Sequence, residues 1–263
     1  MAVIKKIFLI VLLCLAGLII LLAVIVALNA RRNNKLMHGT LDKGMQKLTE
    51  YYTVTPRDPG TYTDMKLYGV MKFHVDQYDV EELGNLSVLT ADMGFMQMVS
   101  YMITPYEKNV PLCTLDFMYI MGNRKSYVEF YDLVGDPQAE DYRRVMTRLS
   151  GMAQSYEDIP ELPVGEAWYD KYLNVAMHKQ LKDDARNEAL FCDALGAYLD
   201  ASRDVEHSSA EDAAKQLQIT QDYADGLIKN GGVSTDVFKK ALGEETTQDF
   251  FGKVFFGTEL YAQ

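Results

Sequence analysis

Residues 7–28, IFLIVLLCLAGLIILLAVIVAL, form a run of 22 residues without a charge. No water-soluble fold can leave such a run on its surface. At ~1.5 Å per residue a helix of this length covers roughly 33 Å, enough to cross the hydrocarbon core of a bilayer. A helix is the required form there, because lipid offers backbone N–H and C=O groups no partners. A cleaved signal peptide has an apolar stretch of only about 7–15 residues and a small-residue cleavage site. Neither fits, and Cys14 in LLCLAG makes a poor lipoprotein cleavage pattern. The run therefore reads as a single-pass anchor. Lys5 and Lys6 precede it, and Arg31, Arg32 and Lys35 follow. Positive charge stays cytoplasmic, so by a narrow margin the C-terminal domain is expected in the cytoplasm.

Charge is distributed unevenly. Residues 1–40 hold five of the 26 basic residues and none of the 37 acidic ones, leaving 21 basic against 37 acidic, a net −16. Such a domain does not bind nucleic acid through a broad basic surface. Anionic headgroups should repel it, apart from the basic collar at residues 31–35. The three cysteines, Cys14, Cys113 and Cys192, contain no CxxC, and His38, His74, His178 and His207 show no HxxxH spacing. Neither a disulfide scaffold nor a His/Cys metal site is indicated, and no metal is expected.

Three units follow from the pattern: an anchor at residues 1–30, a juxtamembrane helix or stalk at 31–55, and an α/β/α domain at 56–263. In the stalk, Leu41, Met45, Leu48 and Tyr52 recur at helical spacing. TPRDPG at 55–60 ends it as a loop. Residues 65–75, 95–104, 113–121 and 126–134 read as strands. GNRK at 122–125 is short and turn-like, which makes the last two an antiparallel hairpin. Helices are expected at 141–153, 167–181 and 187–202, then from a Ser-capped start near 208 to Gly231–Gly232, then from 234 to 256 with a break near Gly243. Strands first and helices afterwards give an α+β class: a three-layer α/β/α sandwich on a central antiparallel sheet, preceded by one transmembrane helix.

One residue disturbs the strand pattern. In CTLDFMYIM, alternation sends Cys113, Leu115, Phe117, Tyr119 and Met121 to one face and Thr114, Asp116, Met118 and Ile120 to the other. Both faces are largely apolar, so Asp116 points into an apolar layer or a pocket opening onto it. Burying a bare carboxylate costs several kcal/mol unless it is paired or protonated. Desolvation raises its pKa and makes it a candidate proton donor near neutral pH. A strand Asp can equally be held by backbone N–H groups or a nearby cation. Asp132, before a turn, fits a local backbone role. The methionines around the strands, Met93, Met96, Met98, Met102, Met118 and Met121, suit either core filling or an adaptable wall for a flat apolar ligand.

Four stretches, in this order and spacing, resemble the ferredoxin-dependent bilin reductase superfamily: MVSYMITPYEKNVPLCTLDFMYI, VEFYDLVGD, ELPVGEAWYDKYLNVAMH, and QDYADGLIKNGG followed by VFKKALGEETTQDFFGKVFFG. That superfamily includes phycocyanobilin:ferredoxin oxidoreductase, phytochromobilin synthase and, distantly, red chlorophyll catabolite reductase. The resemblance spans roughly residues 65–257. It implies an antiparallel sheet between two helical layers and a linear tetrapyrrole bound between the sheet and the C-terminal helices. It also implies no bound cofactor and single electrons from an external ferredoxin or flavodoxin. Asp116 falls on the family's catalytic Asp. Lys229 and Asn230 fall where the ligand is contacted, and Arg124 or Arg143 would hold a propionate. Ser100 stands at the position of a catalytic His, an acid or amide one strand earlier falls near Val88 or Leu89, and Gly231 replaces a second acid. An acidic ferredoxin would need Arg124, Lys125, Arg143, Arg144 and Arg148 gathered into one patch. The resemblance thus implies a membrane-anchored reductase of a linear tetrapyrrole or related conjugated substrate. The alternatives are a non-catalytic domain for a tetrapyrrole, haem or other flat molecule, and a ligand-free anchored interaction domain.

Overall fold

The computed structural model describes residues 2–262. Helix α1 (Ala2–Thr49) runs unbroken from the apolar run into the domain. Its N-terminal part is long and apolar enough to cross a membrane, and its most apolar stretch is not buried among the described residues. Its C-terminal part is a core element: Asn33, Met37, Thr40, Leu41 and Leu48 are buried.

Eight antiparallel strands make one sheet: β1 (Val54–Arg57), β2 (Asp64–Leu67), β3 (Met71–Val80), β4 (Gly84–Asp92), β5 (Met96–Pro105), β6 (Leu112–Ile120), β7 (Asn123–Tyr131) and β8 (Leu173–Leu181). The order across the sheet is β1-β3-β4-β5-β6-β7-β8, with β2 sharing the β3 edge. From β2 to β7 the chain is a meander, and the expected hairpin at residues 122–125 is present, pairing Ile120 with Asn123. Helices α2 (Glu140–Gln154) and α3 (Asp184–Arg203) lie with α1 on the rear face. Helices α4 (Ala210–Asn230), α5 (Val233–Leu242), α6 (Glu244–Phe250) and α7 (Thr258–Tyr261), with a π-helical turn at Phe251–Phe255, form the front layer. The three-layer α+β sandwich is the expected class.

The expected helix signals hold where side chains cap. Ser209 accepts a hydrogen bond from the Asp212 N–H and starts α4. Gly231 at φ 86° and Gly243 at φ 87° end α4 and α5, a backbone geometry that glycine adopts without strain. Three readings of local pattern differ from the structure. Residues 167–181 are not a helix. They form a single 3-10 turn at Asp170–Tyr172 and then β8, in which Val175, Met177 and Lys179 point rearward at a period of two. The aromatic cluster at 168–173 mimics helical spacing while packing from a loop. Residues 65–75 are two strands, folded at Tyr68 and Gly69, both at positive φ. Finally, β1 and β4 escape the pattern altogether. β1 contains Pro56 and sits at an edge, where a missing N–H is tolerated, and β4 is buried on both faces and so does not alternate.

Candidate functional site

Register places one residue from each of five strands in a row across the front of the sheet: Leu89, Ser100, Asp116, Tyr127 and His178. Cross-strand partners project to the same side. Ser100 and Asp116, singled out separately from the sequence, are therefore direct neighbours. The adjacent row carries Met102, Thr114 and Glu129.

Coverage of this face is incomplete. On the rear, Cys113, Leu115, Phe117, Tyr119, Val128 and Phe130 are fully buried. On the front, Thr114, Asp116, Met118, Lys125, Tyr127, Glu129 and His178 are only half-buried. The front helices cover β2–β5 and stop short of β6–β8. What rims the open part is aromatic. Tyr223 of α4 packs against Tyr131 (5.6 Å between ring centroids), Trp168 (5.9 Å), Tyr169 (6.3 Å) and Tyr172 (5.7 Å). The Trp168 indole N–H donates to the Gly231 carbonyl at 2.8 Å, and Gly226 gives the ring room, since a Cβ there would meet it at 2.4 Å. This ties the 168–172 segment to the C-terminal half of α4.

Asp116 has neither a cation nor a full set of donors. Its Oδ1 is sealed from solvent and has no hydrogen-bond partner among the described residues. Burial is the main cause that pushes its pKa up to about 7, and the Glu129 carboxylate adds to the rise. The Ser100 hydroxyl pulls the other way. A group in that position carries a proton over much of the neutral range and can release it to a basic acceptor.

Glu129 is a second acid on the same face, and it is fully engaged. Its Oε1 lies 2.7 Å from His178 Nε2, and its Oε2 accepts from the Tyr131 hydroxyl at 2.7 Å and from the Thr114 hydroxyl at 3.4 Å. Burial raises the pKa of both Tyr131 and Tyr223, so both hydroxyls stay protonated. Two proton-bearing units thus lie one strand row apart: a lone carboxyl and a Glu–His–Tyr network. Part of the second was legible. Alternation in SYVEFY and the hairpin register put Glu129 opposite Thr114, on the Asp116 face. His178 was hidden by the helical reading of 167–181.

The other candidate residues divide between the faces. Lys229 and Asn230 are exposed at the C-terminus of α4, on the front, next to the Gly231 carbonyl that holds Trp168. Arg124 does not belong to this site. It is 1 % exposed on the rear face, 2.6 Å from Asp184 and over the Tyr119 ring at 4.9 Å. The strand period explains this, because Arg124 is one residue from Lys125 and so points the opposite way. Arg143 is exposed on α2, in the rear layer. The expected basic patch does not assemble, since Arg144 pairs with Asp141 and Arg148 with Asp200. Lys125, Lys171 and Lys229, near the rim of the open part, make no ion pair among the described residues. Val88 points rearward, while Leu89 joins the front row.

Two concavities open elsewhere. One of about 430 Å³ lies among Lys47, Arg148, Asp193 and Asp200, and one of about 670 Å³ among Arg57, Tyr62, Asp249 and Lys253. Neither is lined by Asp116, which lies on the half-covered, aromatic-rimmed part of the sheet face.

No family model matches the sequence, and no curated protein matches it. Among solved structures, the crystal structure of phytochromobilin synthase from tomato in complex with biliverdin superposes with a TM-score of 0.68. The alignment covers 86 % of this chain and 83 % of that one, at 15 % identity. The two chains share the three-layer α+β fold with its central antiparallel sheet. At that identity the likeness concerns backbone architecture, and the chemistry has to be argued from the groove.

Proposed function

We propose that this protein is a membrane-anchored, bilin-reductase-like protein that reduces a linear tetrapyrrole or related conjugated substrate. The observation that carries this reading is Asp116: an unpaired, desolvated carboxyl on a half-open, aromatic-lined sheet face. The tomato protein with the same fold is described in complex with biliverdin, a linear tetrapyrrole. A flat conjugated ligand suits a groove walled by Met118, Tyr127, Tyr169 and Trp168, where ring faces and polarizable sulfur offer broad contact. Lys125, Lys171 and Lys229 are placed to meet its carboxylates.

Reducing one double bond consumes two electrons and two protons. The electrons are proposed to come singly from an external ferredoxin- or flavodoxin-type donor, with no cofactor held by the chain. Asp116 supplies one proton to the reduced ring system and is left as carboxylate. The Glu129–His178–Tyr131 network, one row away, can supply the second or recharge Asp116. Anchoring through α1, with the domain in the cytoplasm, gives the donor access.

A second reading, a tetrapyrrole- or haem-type binding domain without turnover, is favoured by Ser100 and Gly231 standing where the resemblance implies a proton-carrying side chain. Biliverdin added to the full chain in detergent should give a sharpened, red-shifted visible band under both readings. Adding ferredoxin, its reductase and NADPH should then bleach or shift that band only under the first. No spectral change on mixing with biliverdin or with haem would overturn both for tetrapyrroles and leave an anchored interaction domain.

A further inference from the structure

Beyond residues 4–28, the large apolar side chains that are exposed among the described residues are Tyr68, Val70, Phe95 and Val164. Three of these four occupy one end of the sheet. Tyr68 and Val70 are at the β2–β3 turn and Phe95 at the β4–β5 turn. Register places these turns side by side, since Lys72 pairs with Asp92 and Asp92 with Gln97.

This is also the end at which α1 enters the domain. The Asn33 amide donates to Gln97 Oε1 at 3.0 Å and to the Tyr119 carbonyl at 3.2 Å, and Asn34 donates to Asp92 at 3.2 Å. Arg32 meets Asp184, at the start of α3, at 2.6 Å. From Leu28, the last residue of the apolar run, to Asn33 the helix rises only about 7–8 Å. Phe95 lies two residues from Gln97, in the β4–β5 turn and so within roughly 7 Å of it. The β4–β5 tip therefore lies close to where the apolar run ends, with the β2–β3 tip beside it.

Two further features distinguish this end. It carries a basic excess on a domain that is otherwise acidic: Arg31, Arg32, Lys35, Lys66, Lys72 and Lys182 are exposed there, against the exposed acids Asp64, Asp183 and Asp236. In addition, Tyr68 holds φ 51° at a turn position where Asn or Gly sits with less strain. A strained, exposed tyrosine flanked by lysines is costly for folding alone. It is what an interfacial anchor requires, because tyrosine favours the headgroup level and lysines favour anionic lipid.

We infer that this end of the sheet is a membrane-contact surface, with the Tyr68–Val70 and Phe95 hairpin tips inserted at the headgroup level of an anionic phospholipid bilayer beside α1. The inference rests on α1 spanning that bilayer. It holds the domain at a fixed height and orientation, which a single flexible tether would not do.

The test is photolabelling of the full chain in phosphatidylcholine–phosphatidylglycerol vesicles carrying one acyl-chain and one headgroup photoprobe. The acyl probe should label the 7–28 run. The headgroup probe should label the peptides containing residues 68–70 and 93–95 several-fold above the turn at 81–83, at the far end of the sheet. Phe95→Asp together with Val70→Asp should reduce that labelling to the level of the far end while leaving labelling of the 7–28 run unchanged. If the 7–28 run is labelled and the tips are labelled no more than residues 81–83, the contact surface is refuted and the anchor stands. If the 7–28 run itself is unlabelled, the anchor reading fails and this inference fails with it.

Discussion

The two faces of the sheet are made by the same strands and do different work. Along β6 every second residue points rearward and is fully buried, while the residues between them are half-open. The rear is sealed by α1, α2 and α3, and its charges are paired: Arg124 with Asp184, Lys179 with Glu161. The front is covered only over β2–β5, and the carboxyl of Asp116 lies unpaired at the margin of that cover. Stability is concentrated on the closed face, whereas the open one tolerates a desolvated acid because a few kcal/mol lost there are offset elsewhere.

Substitutions on each face sharpen that contrast, and the largest effect belongs to the acid itself. Asp116→Asn keeps shape and removes the proton, so turnover of biliverdin with a ferredoxin system should fall by about 10²–10⁴-fold, the usual contribution of a general acid. The visible band of the complex should persist. Unchanged turnover would break the assignment. On the closed face, Phe117→Ala should cost about 3–5 kcal/mol in denaturant unfolding, because the ring sits fully buried against Phe191 at 5.3 Å. One residue along, Met118→Ala on the open face should cost less than about 1 kcal/mol. Equal losses at the two positions would mean that the faces are alike.

A smaller effect comes from pH. The folded pKa of Asp116 is raised from the usual 3.8 to about 7, so the native state holds this proton where the unfolded chain has lost it. Its contribution to stability is therefore intact below pH 4 and declines as pH rises from 4 to 7. Asp116→Asn should stabilise the protein by roughly 1–3 kcal/mol at pH 8 and leave it nearly unchanged at pH 4, as read by chemical denaturation at both values. The smallest change expected is at Tyr68. Tyr68→Asn relieves a positive φ and should stabilise the soluble fold by about 0.5–1 kcal/mol, measured by denaturation in detergent.

Much of the fold was legible because it depends on local pattern. Alternation assigned Asp116 and Phe117 to opposite faces, the turn-like GNRK at 122–125 paired β6 with β7 in a hairpin whose loop is Met121–Gly122, and glycines marked the ends of α4 and α5. The misreadings share a cause. In residues 167–181, aromatic side chains gathered by a loop imitate the i, i+4 spacing of a helix, and only their contact with Tyr223 reveals why they cluster. The same error concealed His178. Arg124 was assigned to the ligand by position in a resemblance, and the two-residue period of its own strand turns it to the rear.

By itself, the sequence determined that residues 7–28 lie in a helix long and apolar enough to cross a membrane, since an uncharged run of 22 residues covers a bilayer core. It also determined that an acid interrupts an apolar strand. Tertiary structure alone decided that this acid would face Ser100 with no cation beside it among the described residues, that Glu129 and His178 would meet one row away, and that α1 would enter the domain at the end carrying the β2–β3 and β4–β5 turns. Those outcomes depend on which strands are neighbours and in what register, and register is fixed by contacts between residues far apart in the chain.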